Sequence, residues 1–150
     1  IRFGARLSQD MIAVKIRSGL RFAVGVANYL ERHPEPKIPA DLRDHACIRY
    51  RFPSGAMFDW HFERNDDTVE IAVEGPITTD SQDVMIAAAL DGCGLAYVWE
   101  DRVETYLCEG RLRRSLSEWC PADDTLFLFY PSRRHVSAGL RAVIDALRIK

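Results

Sequence analysis

The chain has 150 residues, 47% of them hydrophobic and 28% charged, a formal net charge of -2 and an isoelectric point near 6.1. This composition suits one domain or two small lobes with a buried core, and it leaves no global basic field of the kind that holds a protein on phosphate, so direct nucleic-acid binding by this chain is disfavoured. No run approaches the ~18 apolar residues of a membrane span, and the opening residues carry no export-signal pattern. The four cysteines, 47, 93, 108 and 120, form no CxxC pair, and three lie in apolar contexts that suit free buried thiols, so a reducing, cytoplasmic setting is expected.

In chain order, Met11 to Ile16 and Leu20 to Val26 are β-favouring, and Arg17-Ser18-Gly19 supplies turn chemistry for a tight connection between two strands. Asn28 to Arg32 reads as a short helical turn, HPEPKIP as a loop, and Pro39 to Leu42 as a short helix with proline at its first position. Cys47 to Phe52 returns to strand and Pro53-Ser54-Gly55 breaks it. Phe58 to Phe62 and Val69 to Val73 alternate apolar and polar residues about the turn Asn65-Asp66-Asp67, which predicts a half-exposed hairpin.

Asp80 stands ahead of a helix expected over 81–91, apolar enough to be read as buried, with Asp80 as N-cap, Asp83 in the first turn and Gly92 as a left-handed terminator. A buried strand follows at Leu95 to Val98, then a helix near 102–108 closed by Gly110. Thr125 to Tyr130 reads as an apolar strand stopped by Pro131. The last helix starts from Ser137 and carries Leu140, Val143, Ile144 and Leu147 on one face. Strand and helix therefore alternate in the later half, which predicts an α/β mixed sheet with helices on both faces.

Chemistry-bearing residues are sparse. Ser54, Asp59 and His61 lack a nucleophile elbow, and the last two share a solvated strand face. The histidines at 33, 45, 61 and 135 show no ligand spacing, so no metal, no cofactor and no catalytic residue is expected. Arg111, Arg113 and Arg114, and then Arg133, Arg134 and His135, form two basic clusters that suit a solvated face or a dimer rim, and the second could meet a carboxylate ligand. Thr78-Thr79-Asp80-Ser81 places hydroxyls and amide groups at a helix N-terminus, either as simple capping or as an anion or polar-ligand site. The run Tyr97 to Asp101 stands where a strand ends, the position at which open α/β sheets bind ligands.

Several segments in order resemble the effector-binding domain of LysR-type transcriptional regulators: IRFGARLSQDMIAV, LRFAVGVANYLERH, PEPKIPADLRDHACIRYRF, VEGPITTDSQDVMIAAALDGCGLAYVWEDRVETYLCEGRLRRSLSEW and YPSRRHVSAGLRAVIDALR. CIRYRFPSG and DGCGLAYVWED are most similar to the CrgA-like branch. The resemblance implies a type II periplasmic-binding-protein-like α/β fold with two lobes, a mixed sheet and an effector cleft between the lobes. Lobe one would take residues 1–21 and 97–150, with its first part missing, and lobe two 22–96. The run Tyr97 to Asp101 would be the strand returning between them.

Carried over, the cleft is lined by Arg2, Phe3 and Gly4, by Phe52, Pro53 and Ser54, by Thr79, Asp80 and Ser81, and by Val98, Trp99 and Glu100. Asp80-Ser81 replaces the Asn-Asp common in the family, and Val26-Ala27-Asn28-Tyr29 the common Ser-Pro-Ala-Tyr. The implied partners are a small-molecule effector, further copies in a homodimer or tetramer, and promoter DNA held by a separate winged helix-turn-helix, with no membrane. A solute-binding protein of a transporter, which shares the fold, stands as the alternative.

Overall fold

A computed structural model describes residues 2–3, 11–20, 22–26, 28–120, 124–131 and 137–147. The chain divides into two compact units, one of residues 1–20 and 122–150 and the other of residues 21–121.

In the first unit, β1 (Arg2–Phe3) and β2 (Met11–Leu20) flank β10 (Asp124–Pro131), both antiparallel to it, and α3 (Ala138–Leu147) packs on β2. β2 is one unbroken strand, where a turn over Arg17-Ser18-Gly19 was expected. The small residues are absorbed instead by two register shifts against β10, between Leu20 and Arg17 and between Arg17 and Lys15, which are bulges that strengthen local twist. Ser137 caps α3 through its Oγ, which accepts the Leu140 N–H at 3.2 Å, and Ile144 is the buried residue of the helix.

The second unit is built on a five-stranded sheet in the order β7-β4-β8-β3-β9, with β3 Phe22–Val26, β4 Cys47–Tyr50, β7 Thr78–Thr79, β8 Leu95–Trp99 and β9 Arg113–Ser115. β7, β4 and β8 are mutually parallel, while β3 is antiparallel to β8 and β9. β5 (Trp60–Arg64) and β6 (Asp67–Ile71) form the expected hairpin, joined by Asn65 and Asp66, both at positive φ, as a two-residue turn matched to strand twist requires.

β8 organises the core because successive side chains of a strand face opposite ways. Leu95 and Tyr97 join Trp60, Phe62, Ile71, Tyr29 and Leu42 on one side. Ala96 and Val98 join Met85, Ile86 and Ala89 of α1 (Gln82–Leu90) and Val103 of α2 (Glu100–Cys108) on the other. Both helices end in the same way: Gly92 and Gly110 take positive φ, and the following amides, Cys93 and Arg111, reach back to the carbonyls of Ala88 and Tyr106 at 3.0 and 2.9 Å.

Residues 97–121 cluster with 21–96, because Tyr97, Val98 and Trp99 belong to the central strand of that sheet. Three expectations are corrected. α1 is buried on one side only, through Met85, Ile86 and Ala89, while Val84 is 49% exposed: an alanine-rich helix looks apolar all round yet has only one sheet to pack on. Its N-cap is Ser81, not Asp80. Two cysteines, 47 and 120, are buried, whereas Cys93 and Cys108 are exposed just past one helix and at the end of another. Burial pushes the Cys47 thiol up to about 12, which makes it inert.

Candidate ligand site at the carboxyl end of the parallel strands

Parallel strands send their connections off the same end, and here that end gathers three of the four expected site segments. The register Arg49↔Thr78 and Tyr50↔Thr79, continued by the Arg51 N–H donating to the Thr79 carbonyl at 2.8 Å, sets the turn after β4 beside the start of α1. β8 ends next in the sheet with Trp99, and Glu100 opens α2. Phe52, Pro53 and Ser54, then Thr79, Asp80 and Ser81, then Trp99 and Glu100 therefore occupy one edge.

The turn after β4 is tied down at each step. The Phe52 N–H donates to the Ala56 carbonyl at 2.9 Å, Gly55 N–H to the Phe52 carbonyl at 2.8 Å, and Phe58 N–H to the Tyr50 carbonyl at 2.9 Å. Gly55 takes φ +87, a value that favours glycine. At the start of α1, the Ser81 N–H donates to Thr79 Oγ1 at 3.1 Å, and the Ser81 side chain makes no capping bond. The Met85 N–H is the first to return to the helix ladder, on the Ser81 carbonyl at 3.1 Å, which leaves the amides of the first turn directed at this edge.

The charges around the edge are largely matched. Arg114 donates Nε at 2.9 Å and Nη2 to one oxygen of Glu100, Arg102 pairs with Asp83 at 2.5 Å across the two helices, and Arg49 reaches Glu74 at 2.9 Å while its Nε and Nη2 donate to Thr78 Oγ1. Arg51, exposed in the turn, has no ion-pair partner among the described residues. Asp80, exposed between Thr79 and Ser81, likewise has no ion-pair partner among the described residues, so one unmatched charge of each sign remains at this edge.

The other expected residues take the following places. Val98 is completely buried among Ile48, Met85 and Val103, so its side chain serves the core. Arg2 and Phe3 lie in β1 of the other unit, and Gly4 is outside the described residues, as are Arg133, Arg134 and His135. Sequence reasoning missed Arg49, Arg114 and Tyr50 at this edge; the alternation of Arg49-Tyr50-Arg51-Phe52 was the signal available, since a strand places Tyr50 and Phe52 on one face.

Two other features lie away from this edge. A cavity of ≈ 300 Å³ is lined by Glu35, Pro36, Lys37, Leu116, Ser117, Glu118 and Trp119, and holds none of the expected residues. His45, 7% exposed, has its Nδ1 3.3 Å from the Tyr29 hydroxyl, which accepts the Ala46 N–H at 3.0 Å, and His33 stacks on Tyr29 with ring centroids 4.0 Å apart. Burial and then the neighbouring His33 hold His45 below the usual imidazole range. Among the described residues no cluster of three His, Cys, Asp or Glu side chains is placed to bind a metal. The Ser54, Asp59 and His61 set does not assemble: Ser54 Oγ accepts only the Ala56 N–H at 3.5 Å, and His61 Nδ1 lies 3.8 Å from Glu70.

An α/β sheet with its parallel strands opening on a polar and aromatic edge is the architecture of a small-molecule-binding domain. The comparisons narrow that class. Residues 1–150 match the model of the LysR substrate binding domain, and the chain belongs to that family. A Pseudomonas aeruginosa protein is 40% identical over 150 residues, covering 99% of this chain and 49% of its own. The HTH-type transcriptional regulator PgrR of Escherichia coli is 35% identical over 152 residues, covering 100% of this chain and 51% of its own. The chain thus spans about half the length of the curated relatives it matches.

Among solved structures, the regulatory domain of AphB from Vibrio vulnificus superposes with a TM-score of 0.75 at 24% identity, covering 97% of this chain and 71% of that one. The CrgA regulatory domain of Neisseria meningitidis gives 0.70 at 23%, covering 96% and 70%. The fold is therefore the periplasmic-binding-protein-like fold of LysR regulatory domains. The transporter alternative falls, because the relatives are HTH-type regulators.

Proposed function

We propose that this chain senses a small polar or anionic effector for a transcriptional regulator, and that the effector binds at the carboxyl end of β7, β4 and β8. The observation that carries this reading is the convergence of Thr79, Ser81, the first-turn amides of α1 and the braced turn at Phe52 on one sheet edge. The two units are taken as the two lobes, 1–20 with 122–150 and 21–121. Binding acts by differential affinity for two states of a homo-oligomer whose separate winged helices hold promoter DNA in the cytoplasm. No catalytic step, metal or cofactor enters this account.

The test is titration of the full natural polypeptide with a panel of small carboxylates and polar metabolites, followed by the double variant Thr79→Ala/Ser81→Ala. A ligand at about 100 times its dissociation constant adds about 2.7 kcal/mol to stability, readable as a rise in Tm. The double variant is expected to lose about tenfold in affinity, with only the modest fall in unliganded Tm that loss of the Ser81 N–H to Thr79 Oγ1 bond brings. Unchanged affinity in the double variant would move the site away from α1.

A further inference from the structure

The cavity of ≈ 300 Å³ shares no residue with the sheet edge. It lies within the second unit, between the irregular run Glu35-Pro36-Lys37 and the segment from Leu116 to Trp119. Its volume stands at the lower end of the range for small-molecule sites.

Three features of its wall point to an occupant. Leu116 takes φ +55 and ψ +32, a left-handed backbone that is strained for a bulky side chain, and outliers of this kind gather at ligand sites. The indole N–H of Trp119 is shielded from solvent and donates to nothing among the described residues, so a donor in this wall is left without the acceptor that would offset its burial. Pro36 is buried while Glu35 and Lys37, on either side of it, are exposed, and neither has an ion-pair partner among the described residues. The polar group that Lys37 commits is its backbone N–H, which donates to Asp41 at 2.8 Å.

The charges define the class of ligand. Glu118 is engaged by Arg64 at 3.2 Å, and the same guanidinium lies over the Trp119 ring, 5.4 Å from its centroid. That leaves one unmatched anion, Glu35, and one unmatched cation, Lys37, over apolar surface from Pro36, Leu116 and Trp119. A simple acid leaves Glu35 unanswered and a simple amine leaves Lys37 unanswered. A molecule carrying both charges and a short apolar body answers all of them.

We infer that this cavity is a second ligand site, separate from the edge at β7, β4 and β8, and that it takes a free α-amino acid with an apolar side chain. The ammonium meets Glu35, the carboxylate meets Lys37 and the Trp119 N–H, and the side chain lies on Leu116 and Pro36. Such a site stands whether or not the sheet edge binds an effector.

The experiment is an amide NMR titration of the isotope-labelled full natural polypeptide with L-leucine and its two half-molecules, 4-methylpentanoate, which lacks the ammonium, and 3-methylbutylamine, which lacks the carboxylate. L-leucine is expected to shift resonances at 35, 37 and 116–119 and not at 79–84, and to bind at least about tenfold more tightly than either half-molecule. Glu35→Gln and Lys37→Met, both at exposed positions, should each weaken L-leucine about tenfold, while Lys37→Met leaves 3-methylbutylamine unchanged. Trp119→Phe keeps a ring and removes the N–H, so it should weaken L-leucine and 4-methylpentanoate but not the amine.

Equal binding of L-leucine and 4-methylpentanoate at these resonances would overturn the amino-acid assignment. No shift there with L-leucine, L-methionine or L-phenylalanine at millimolar concentration would overturn the site itself. Shifts from L-leucine confined to 79–84 would also overturn it, while supporting the sheet edge.

Discussion

The two ends of the parallel strands in the second unit are built on opposite principles. At the amino end, glycines bring backbones into direct contact: a Cβ on Gly75 would run into the Cys47 carbonyl and amide, and one on Gly94 into the Ala46 carbonyl. Those approaches serve hydrogen bonds, Cys47 N–H to the Glu74 carbonyl and Leu95 N–H to the Ala46 carbonyl, each at 2.9 Å. At the carboxyl end the same strands diverge into turns that show hydroxyls, amides and an aromatic ring. One end is closed by main chain that tolerates no added atom, and the other presents side chains that contribute little to the core. Stability and recognition are therefore separable in this sheet.

The sharpest way to break that contrast is at the amino end. Gly75→Ala and Gly94→Ala should each cost about 3 kcal/mol, because the new methyl meets backbone that is itself hydrogen-bonded and cannot yield; Gly94 adds strain from its φ of +154. Chemical denaturation of each variant checks this, and a loss under about 1 kcal/mol would mean that the strands can part without consequence. At the carboxyl end the expectation reverses. Thr79→Ala/Ser81→Ala should cost only about 1 kcal/mol, for the lost bond from the Ser81 N–H to Thr79 Oγ1, while weakening the effector about tenfold.

The smallest expected effect concerns pH. His45 is held neutral by burial first and by His33 second, against the opposing pull of Asp41 and Asp44. Its folded value lies below the ordinary 6.5, so between the two values the unfolded chain binds the extra proton. The stability it contributes is present above 6.5 and is lost as pH falls through that window. Tm should decline modestly between pH 7 and pH 5, and His45→Gln should flatten the slope; an unchanged slope would remove His45 as its source.

Much of this was legible in the residues because it depended on local chemistry. Alternation and the Asn65-Asp66 pair announced the β5–β6 hairpin, and Gly92 and Gly110 announced two helix ends. The ordered segments pointed to the family and its fold. What stayed hidden depended on partners distant in the chain. Leu95 to Val98 reads as a buried strand in any sheet, so its central place between β4 and β3, and with it the attachment of residues 97–121 to the second unit, had no local mark. Ser18-Gly19 looks the same as a turn or as part of a bulged strand until β10 is laid beside it. The contacts that link Phe52 to Trp60 pass through Tyr97, far along the chain, so Phe52 could be named as a lining residue while its tie to the core stayed hidden.

The central claim is that ligand recognition belongs to the carboxyl end of β7, β4 and β8. The most direct measurement is a backbone amide NMR titration with the tightest-binding acid of the panel. The account predicts that the shifted resonances concentrate at 50–58, 79–84 and 99–101. Shifts concentrated instead at 35–37 and 116–119, around the ≈ 300 Å³ cavity, would contradict it and move the site to the other end of the unit's chemistry.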